Sequence, residues 1–188
     1  MSIISAALII FGTFYCISVL YLYSGLFHLR CPDNKHIHTF SVVIAVHNEE
    51  KSLQKCFDAV ISQNYPSDKY EIILADDRST DTTPAIINRL CQNHPNVRSV
   101  RIEPHEKAVP KKTALARAFE LATGEIILTT DGDCLPSDSW ISSINENFTA
   151  KVGLVVGHVD YFKPENLWAG IDALDYLSHR ALGASFLG

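Results

Sequence analysis

Phe40-Ser41-Val42-Val43-Ile44-Ala45-Val46, running into His47-Asn48-Glu49-Glu50, is the stretch that decides the fold. Apolar and β-branched side chains fill nearly every position without alternation, the pattern of a strand covered on both faces. Beyond it, Leu53, Cys56, Phe57, Val60 and Ile61 recur at helical spacing, with Asn48 as a cap before them and Asn64-Tyr65-Pro66 closing the helix. The unit then repeats: a strand at Tyr70 to Ala75, a polar loop at Asp76 to Asp81, and a helix with Pro84 in its first turn carrying Ile86, Ile87 and Leu90. A third strand at Val97 to Ile102 precedes a helix from about Lys111 to Ala122, stopped at Gly124. A fourth, Glu125 to Thr130, runs into Asp131-Gly132-Asp133.

Strands alternating with helices across short turns predict an α/β fold, a mostly parallel sheet flanked by helices, with ligands bound outside the carboxyl ends of the strands. Three polar clusters fall on that edge: His47 to Glu50, Asp76 to Asp81, and Asp131 to Asp133. No GxGxxG or GxxxxGK loop follows any strand, which excludes a dinucleotide fingerprint and a P-loop. Asp131 and Asp133, separated by a glycine that lets the backbone bend, offer hard oxygen ligands suited to Mg²⁺ or Mn²⁺, and such a cation would carry a diphosphate. The competing reading of the triplet is a polar turn after a strand.

Residues 3 to 29 hold no charged side chain apart from His28 and are long enough to span a bilayer. No basic residue precedes them, so they read as an uncleaved anchor over residues 1–30, followed by a linker over 31–39 and a domain over 40–188. Arg30 and Lys35 follow the span, which predicts a membrane protein with its domain in the cytoplasm. His36 and His38 then read as membrane-edge residues. The five cysteines show no CxxC spacing and are odd in number, which argues against a zinc knuckle or a disulfide scaffold and fits a reducing compartment. A formal charge of −5 supplies no basic patch for nucleic acid. The apolar ending from Ala181 to Gly188 predicts a domain that continues past residue 188.

Four ordered blocks resemble the family 2 glycosyltransferases of the GT-A fold. Ser41 to Glu50 is similar to the family's opening strand and Pro-x-Tyr-Asn-Glu ending, with Ala45 and His47 in place of the proline and tyrosine. Ile73 to Thr83 resembles its Asp-Asp-x-Ser-x-Asp-x-Thr loop, and Lys111, Lys112, Ala114 and Leu115 its Lys-x-x-Ala-Leu helix start. Asp131 to Asp133 is the fourth block. The resemblance covers about residues 40 to 162. It implies a nucleotide-diphosphate sugar donor, with Asp76 or Asp77 on the base edge, His47 beside the base, Lys111 or Lys112 near the phosphates, and Asp131 with Asp133 on the metal and sugar-phosphate.

It further implies metal-dependent, inverting transfer of the sugar to an acceptor hydroxyl, and a carboxylate base in a motif well beyond the Asp pair. Nothing between Cys134 and Gly188 matches that motif, Asp160, Asp172 and Asp175 included, so the base is expected past Gly188. A lipid-linked or membrane-proximal acceptor is expected from the anchor. Competing functions are a haloacid-dehalogenase-like phosphatase with Asp131 as nucleophile, a receiver-like acidic pocket whose lysine stands in the wrong order, and a membrane-tethered module that binds the donor without catalysis. Among the single residues, Asp81 reads as a helix cap. Glu49 and Glu50 read as first-turn stabilisers, Lys111 and Lys112 equally as solvated charges, His158 and His179 as satisfied or surface groups, and Trp140 and Trp168 as core.

Overall fold

Three largely apolar runs and the weaker stretch Val-Arg-Ser-Val-Arg-Ile become parallel strands: β1 (Phe40–Val46), β2 (Tyr70–Asp77), β3 (Val97–Ile102) and β4 (Ile126–Asp131). The computed structural model describes residues 3–26, 34–103, 109, 111–157, 159, 167–168, 170–171 and 173, with side chains over 3–26 only at 5, 8–21 and 24. Between the strands lie α2 (Leu53–Ile61), α3 (Thr83–Asn93) and α4 (Lys112–Leu121); α5 (Trp140–Asn147) follows β4, and α1 (Ile3–Leu26) precedes β1. Strand order is β3-β2-β1-β4, with Val43 beside Ile73 and Thr129.

Central β1 is buried at every position, as its unbroken apolar run demands. On one face Val43, Ile73, Ala75 and Ile102 meet Ala114 and Ala118 of α4, whose small side chains one turn apart let the helix lie close to the sheet. β4 differs from expectation. It alternates buried and exposed positions, with Ile127 outward, because it stands at the border of the described sheet and only one face is covered.

Local signals for the loops also resolve differently. Asn48 does not cap α2, which starts at Leu53 with Glu49 O accepting its backbone N–H at 2.9 Å. Instead Asn48 takes a left-handed φ of 57° and its side-chain oxygen accepts Thr80 N–H at 2.8 Å, tying the loops after β1 and β2 together. Asp81 does stabilise the start of α3, its Oδ1 accepting Thr83 N–H at 2.9 Å. Glu50 serves that same helix start rather than its own, accepting Thr82 Oγ1–H at 2.8 Å. Gly124 ends no helix, since α4 stops at Leu121. A Cβ there would stand 2.5 Å from Phe40 C, so the glycine is required by close approach to β1.

The chain divides into two units, Asp33–Gly153 and a second made of Met1–Pro32 with Leu154–Gly188. In the second, α1 displays Leu8, Ile9, Ile10, Phe11 and Phe14 to its surroundings. Among the described residues no helix is long and apolar enough to cross a membrane. The expectation of a core role for Trp168 is corrected, because it is 75% exposed. Arg30, His158, Asp160, Asp172, Asp175, His179 and the apolar ending at 181–188 lie outside the described residues. The described cysteines, Cys16, Cys56, Cys91 and Cys134, are free thiols.

Candidate functional site

Parallel pairing sets the carboxyl ends of β1, β2 and β4 side by side, with Val46 opposite Asp76 and Ala45 opposite Asp131. The residues that follow therefore emerge together, and they line a cleft of about 180 Å³ that holds His47, Asp77, Lys111, Asp131 and Asp133. Five of the seven site residues expected from the sequence meet there. Asp76 and Lys112 do not line it. A neighbouring open groove of about 470 Å³ between the loops holding Asn48 and Asp81 gathers fewer converging ionisable groups, so the chemistry belongs to the smaller cleft.

Lys111 organises the cleft from both of its ends. Its backbone N–H donates to Asp77 Oδ2 at 2.6 Å, while its ammonium reaches Asp131 Oδ1 at 2.6 Å, so one residue bridges the ends of β2 and β4 over the end of β1. This costs backbone strain, since Lys111 holds a φ of 54°. Asn48 at 57° and Arg78 at 61° complete the non-glycine residues of positive φ among those described, and all three flank the site. Strain gathered at one sheet edge fits a region built for binding rather than for stability.

Asp77 also accepts from Arg78 Nε at 2.9 Å. Burial acts to raise its carboxyl, but the Arg78 side chain, the Lys111 N–H and the Arg78 and His47 charges outweigh burial and hold it below the usual carboxylate range. It remains an anion that can accept further hydrogen bonds. His47 Nδ1 lies 2.5 Å from the Asp77 carbonyl, which only accepts, so Nδ1 carries a proton, while Asn48 Nδ2 stands 3.3 Å from Nε2.

Asp76 is 2% exposed, and its Oδ1 accepts Ser79 N–H at 3.0 Å, which shapes the loop. Among the described residues its Oδ2 has no hydrogen-bond partner, with Arg101 Nε standing 3.6 Å away. A buried acceptor without a hydrogen bond costs on the order of 1–3 kcal/mol, which the Arg101 charge beside it offsets in part.

Gly132 is fixed by space. Its N–H donates to Ala45 O at 2.9 Å, and a Cβ would meet Val46 Cγ1 at 2.7 Å and Glu49 Cγ at 3.2 Å. Its φ is not positive, so close approach to β1, rather than a sharp bend, explains the glycine between the two aspartates. The residues fit a hard divalent cation: two exposed carboxylates stand on one cleft wall, and Asp131 already attracts the positive charge of Lys111. Two protein carboxylates supply too few oxygens to fill six positions, which leaves room for phosphate oxygens and water.

Sequence reading passed over Arg78 and Arg101 and took Asn48 only for a helix cap. The asparagine carried a usable signal, because its side chain tolerates left-handed backbone at low cost. Arg78 and Arg101 carried none, since a lone arginine beside a strand is ordinarily a solvated charge.

These features define an α/β domain with an acidic, lysine-bridged pocket at the carboxyl ends of its strands. Residues 41–177 match Glycosyl transferase family 2, and the chain belongs to that family. Glycosyltransferase AglE of Haloferax volcanii is 34% identical over 125 residues, 66% of this chain and 40% of the relative. The dolichyl N-acetyl-alpha-D-glucosaminyl phosphate 3-beta-D-2,3-diacetamido-2,3-dideoxy-beta-D-glucuronosyltransferase of Methanococcus voltae is 27% identical over 155 residues, 78% of this chain and 46% of the relative. The chain thus spans less than half the length of these relatives. The mannosyltransferase PcManGT from Pyrobaculum calidifontis, solved in complex with GDP-Man and Mn²⁺, superposes with a TM-score of 0.64 at 25% identity, covering 79% of this chain and 45% of that one. The sheet with its flanking helices is therefore GT-A-like. Family membership displaces the phosphatase reading of Asp131. Its carboxylate is half-exposed and engaged by Lys111, at the end of the fourth strand in chain order rather than the first.

Proposed function

We propose that this chain is the donor-binding part of a membrane-anchored glycosyltransferase that takes a sugar from a nucleotide-diphosphate sugar and passes it, with inversion, to an acceptor hydroxyl at the cytoplasmic membrane face. One observation carries the reading: the ends of three adjacent parallel strands deliver His47, Asp77, Asp131 and Asp133 to a single cleft, where Lys111 joins them from the start of α4. Support for the donor class comes from the GDP-Man and Mn²⁺ bound to the mannosyltransferase with the similar fold.

In this reading the Asp77 carboxylate accepts a hydrogen bond from the base edge, Asp76 shapes the loop behind it, and His47 flanks the base. Lys111 trades its Asp131 contact for a phosphate oxygen when donor arrives, which moves its charge by the reach of one flexible stem. Asp131 and Asp133 hold Mg²⁺ or Mn²⁺, which when bound acts as a Lewis acid on the leaving diphosphate and contributes several kcal/mol to transition-state stabilisation. None of the described residues is assigned as the carboxylate base. Exposed apolar side chains along α1 support an anchor, since such a stripe is stable only against lipid, detergent or protein. A lipid-linked acceptor is supported by the dolichyl-linked substrate in the name of the Methanococcus voltae relative.

Calorimetric titration of the full chain with UDP- and GDP-sugars, with and without Mn²⁺, tests the site. Donor binding is expected to depend on Mn²⁺ and to weaken at least about ten-fold in Asp133→Asn. Heats unchanged by that substitution would refute the assignment, and Mn²⁺-dependent binding without transfer by the complete protein would favour the non-catalytic module.

A further inference from the structure

At the opposite edge of the sheet, His36 and His38 leave an extended segment on the same side, as residues two apart do. Their rings touch edge to face with centroids 4.5 Å apart, and His38 Nδ1 lies 2.9 Å from Glu125 Oε2. One ring nitrogen from each histidine and one oxygen of Glu125 fall within 4.8 Å of one another. Ligand atoms around a tetrahedral cation at about 2.0–2.2 Å stand somewhat over 3 Å apart, so small side-chain rotations close this set.

The backbone beneath the two rings is held by a buried amide rather than left to solvent. Asn145 Nδ2 donates to His36 O at 2.8 Å while its Oδ1 accepts His38 N–H at 3.1 Å, and Tyr65 O–H donates to His38 O at 2.7 Å. Asn34 adds a bond at each side, its Oδ1 accepting His36 N–H at 3.0 Å and its Nδ2 donating to His36 O at 3.2 Å. Glu125 is aimed as well, its Oε2 accepting Thr39 N–H at 3.3 Å and its own N–H donating to Thr39 Oγ1 at 3.1 Å. The backbone under both histidines and Glu125 is thus fixed by hydrogen bonds, which limits the side-chain rotation needed to bring the three ligand atoms together.

We propose that His36, His38 and Glu125 form a binding site for a borderline transition-metal cation, Zn²⁺ foremost, that fastens the segment ahead of β1 to the start of β4. Two imidazoles and one carboxylate suit Zn²⁺ and leave its fourth position to water. The site is separate from the acidic cleft: Glu125 precedes β4 and Asp131 ends it, about 20 Å away along a six-residue strand. Ligand chemistry separates the two also, nitrogen-rich here and all-oxygen there.

Zinc titration of the untagged full chain in detergent, followed by calorimetry and by the imidazole resonances of the two histidines, decides the matter. The native chain and Asp133→Asn are expected to bind one equivalent here, shifting both resonances. His36→Ala and Glu125→Gln, both at exposed positions, are expected to bind at least about ten-fold more weakly with unchanged circular dichroism and unchanged Mn²⁺-dependent donor binding. No saturable zinc binding by the native chain overturns the proposal. Binding that survives His36→Ala but disappears in Asp133→Asn overturns it too, by locating the ion at the acidic cleft.

Discussion

Lys111 competes with any cation for Asp131. Its ammonium occupies Asp131 Oδ1 while its backbone N–H occupies Asp77, so Lys111→Ala frees the first carboxylate and leaves the second contact intact. An exposed pair of this kind is worth about 0–1 kcal/mol. Mn²⁺ alone is therefore expected to bind up to a few-fold more tightly to Lys111→Ala, while the same variant binds nucleotide-sugar more weakly. Both constants come from calorimetry, and a parallel loss of both would show that Lys111 supports the metal rather than displaces it. At Cys56, burial foremost, then Cys134 and the charges of Asp133, Glu49 and Asp131, push the thiol up to about 12. The sign follows directly: between about 9 and 12 the folded state keeps a proton that the unfolded state releases, so stability is lost as pH rises through that window. Iodoacetamide at pH 8 is expected to label the partly exposed Cys134 and Cys91 well before Cys56, read by peptide mass.

At the scale of elements, the edge of the sheet away from the cleft is tied by Glu71. It accepts Ser41 Oγ–H at 2.6 Å, Thr123 N–H at 2.7 Å and Thr123 Oγ1–H at 2.8 Å, and it pairs with Arg98, joining β1, β2, β3 and the turn before β4. Burial would raise its carboxyl, but the hydrogen bonds from Ser41, Thr123 and Arg98 prevail and hold it below the ordinary range. The network's contribution is present above the unfolded value of about 4.3 and is lost as pH falls through the folded one. Urea unfolding between pH 3 and 7 should show a shallower acid loss for Glu71→Gln than for the native chain; identical slopes would remove Glu71 from the account. Gly124→Ala on the adjoining turn is expected to cost about 1–3 kcal/mol, because no rotamer relieves a contact with Phe40 backbone.

These elements also mark what the sequence could carry. β1, β2, β3 and β4 were legible because an unbroken or β-branched apolar run has few other homes, and the three polar clusters after them followed from parallel order alone. The short α5 went unread, having only Trp140, Ile141 and Ile144 as apolar anchors. Contacts across the chain were beyond reach: nothing local tells that Asn145 clamps His36 and His38, that Asn48 meets Thr80, or that Lys111 rather than Lys112 turns into the cleft.

For the whole molecule, the division at Asp33 and Gly153 assigns the cleft, the Glu71 network and the His36 cluster to one unit and the apolar face of α1 to the other. The described sheet and the helices flanking it all lie within Asp33–Gly153, so their cooperativity is expected not to require residues 1–32. A variant starting at Asp33 is expected to keep the far-ultraviolet spectrum per residue of the α/β unit and its urea midpoint within experimental error. The same variant should associate less without detergent than the full chain, which carries Leu8, Ile9, Ile10, Phe11 and Phe14 outward. Light scattering with and without detergent separates the two chains. If the full chain is monodisperse in plain buffer, α1 finds its apolar partner within this protein, and the anchor falls while the acidic cleft stands.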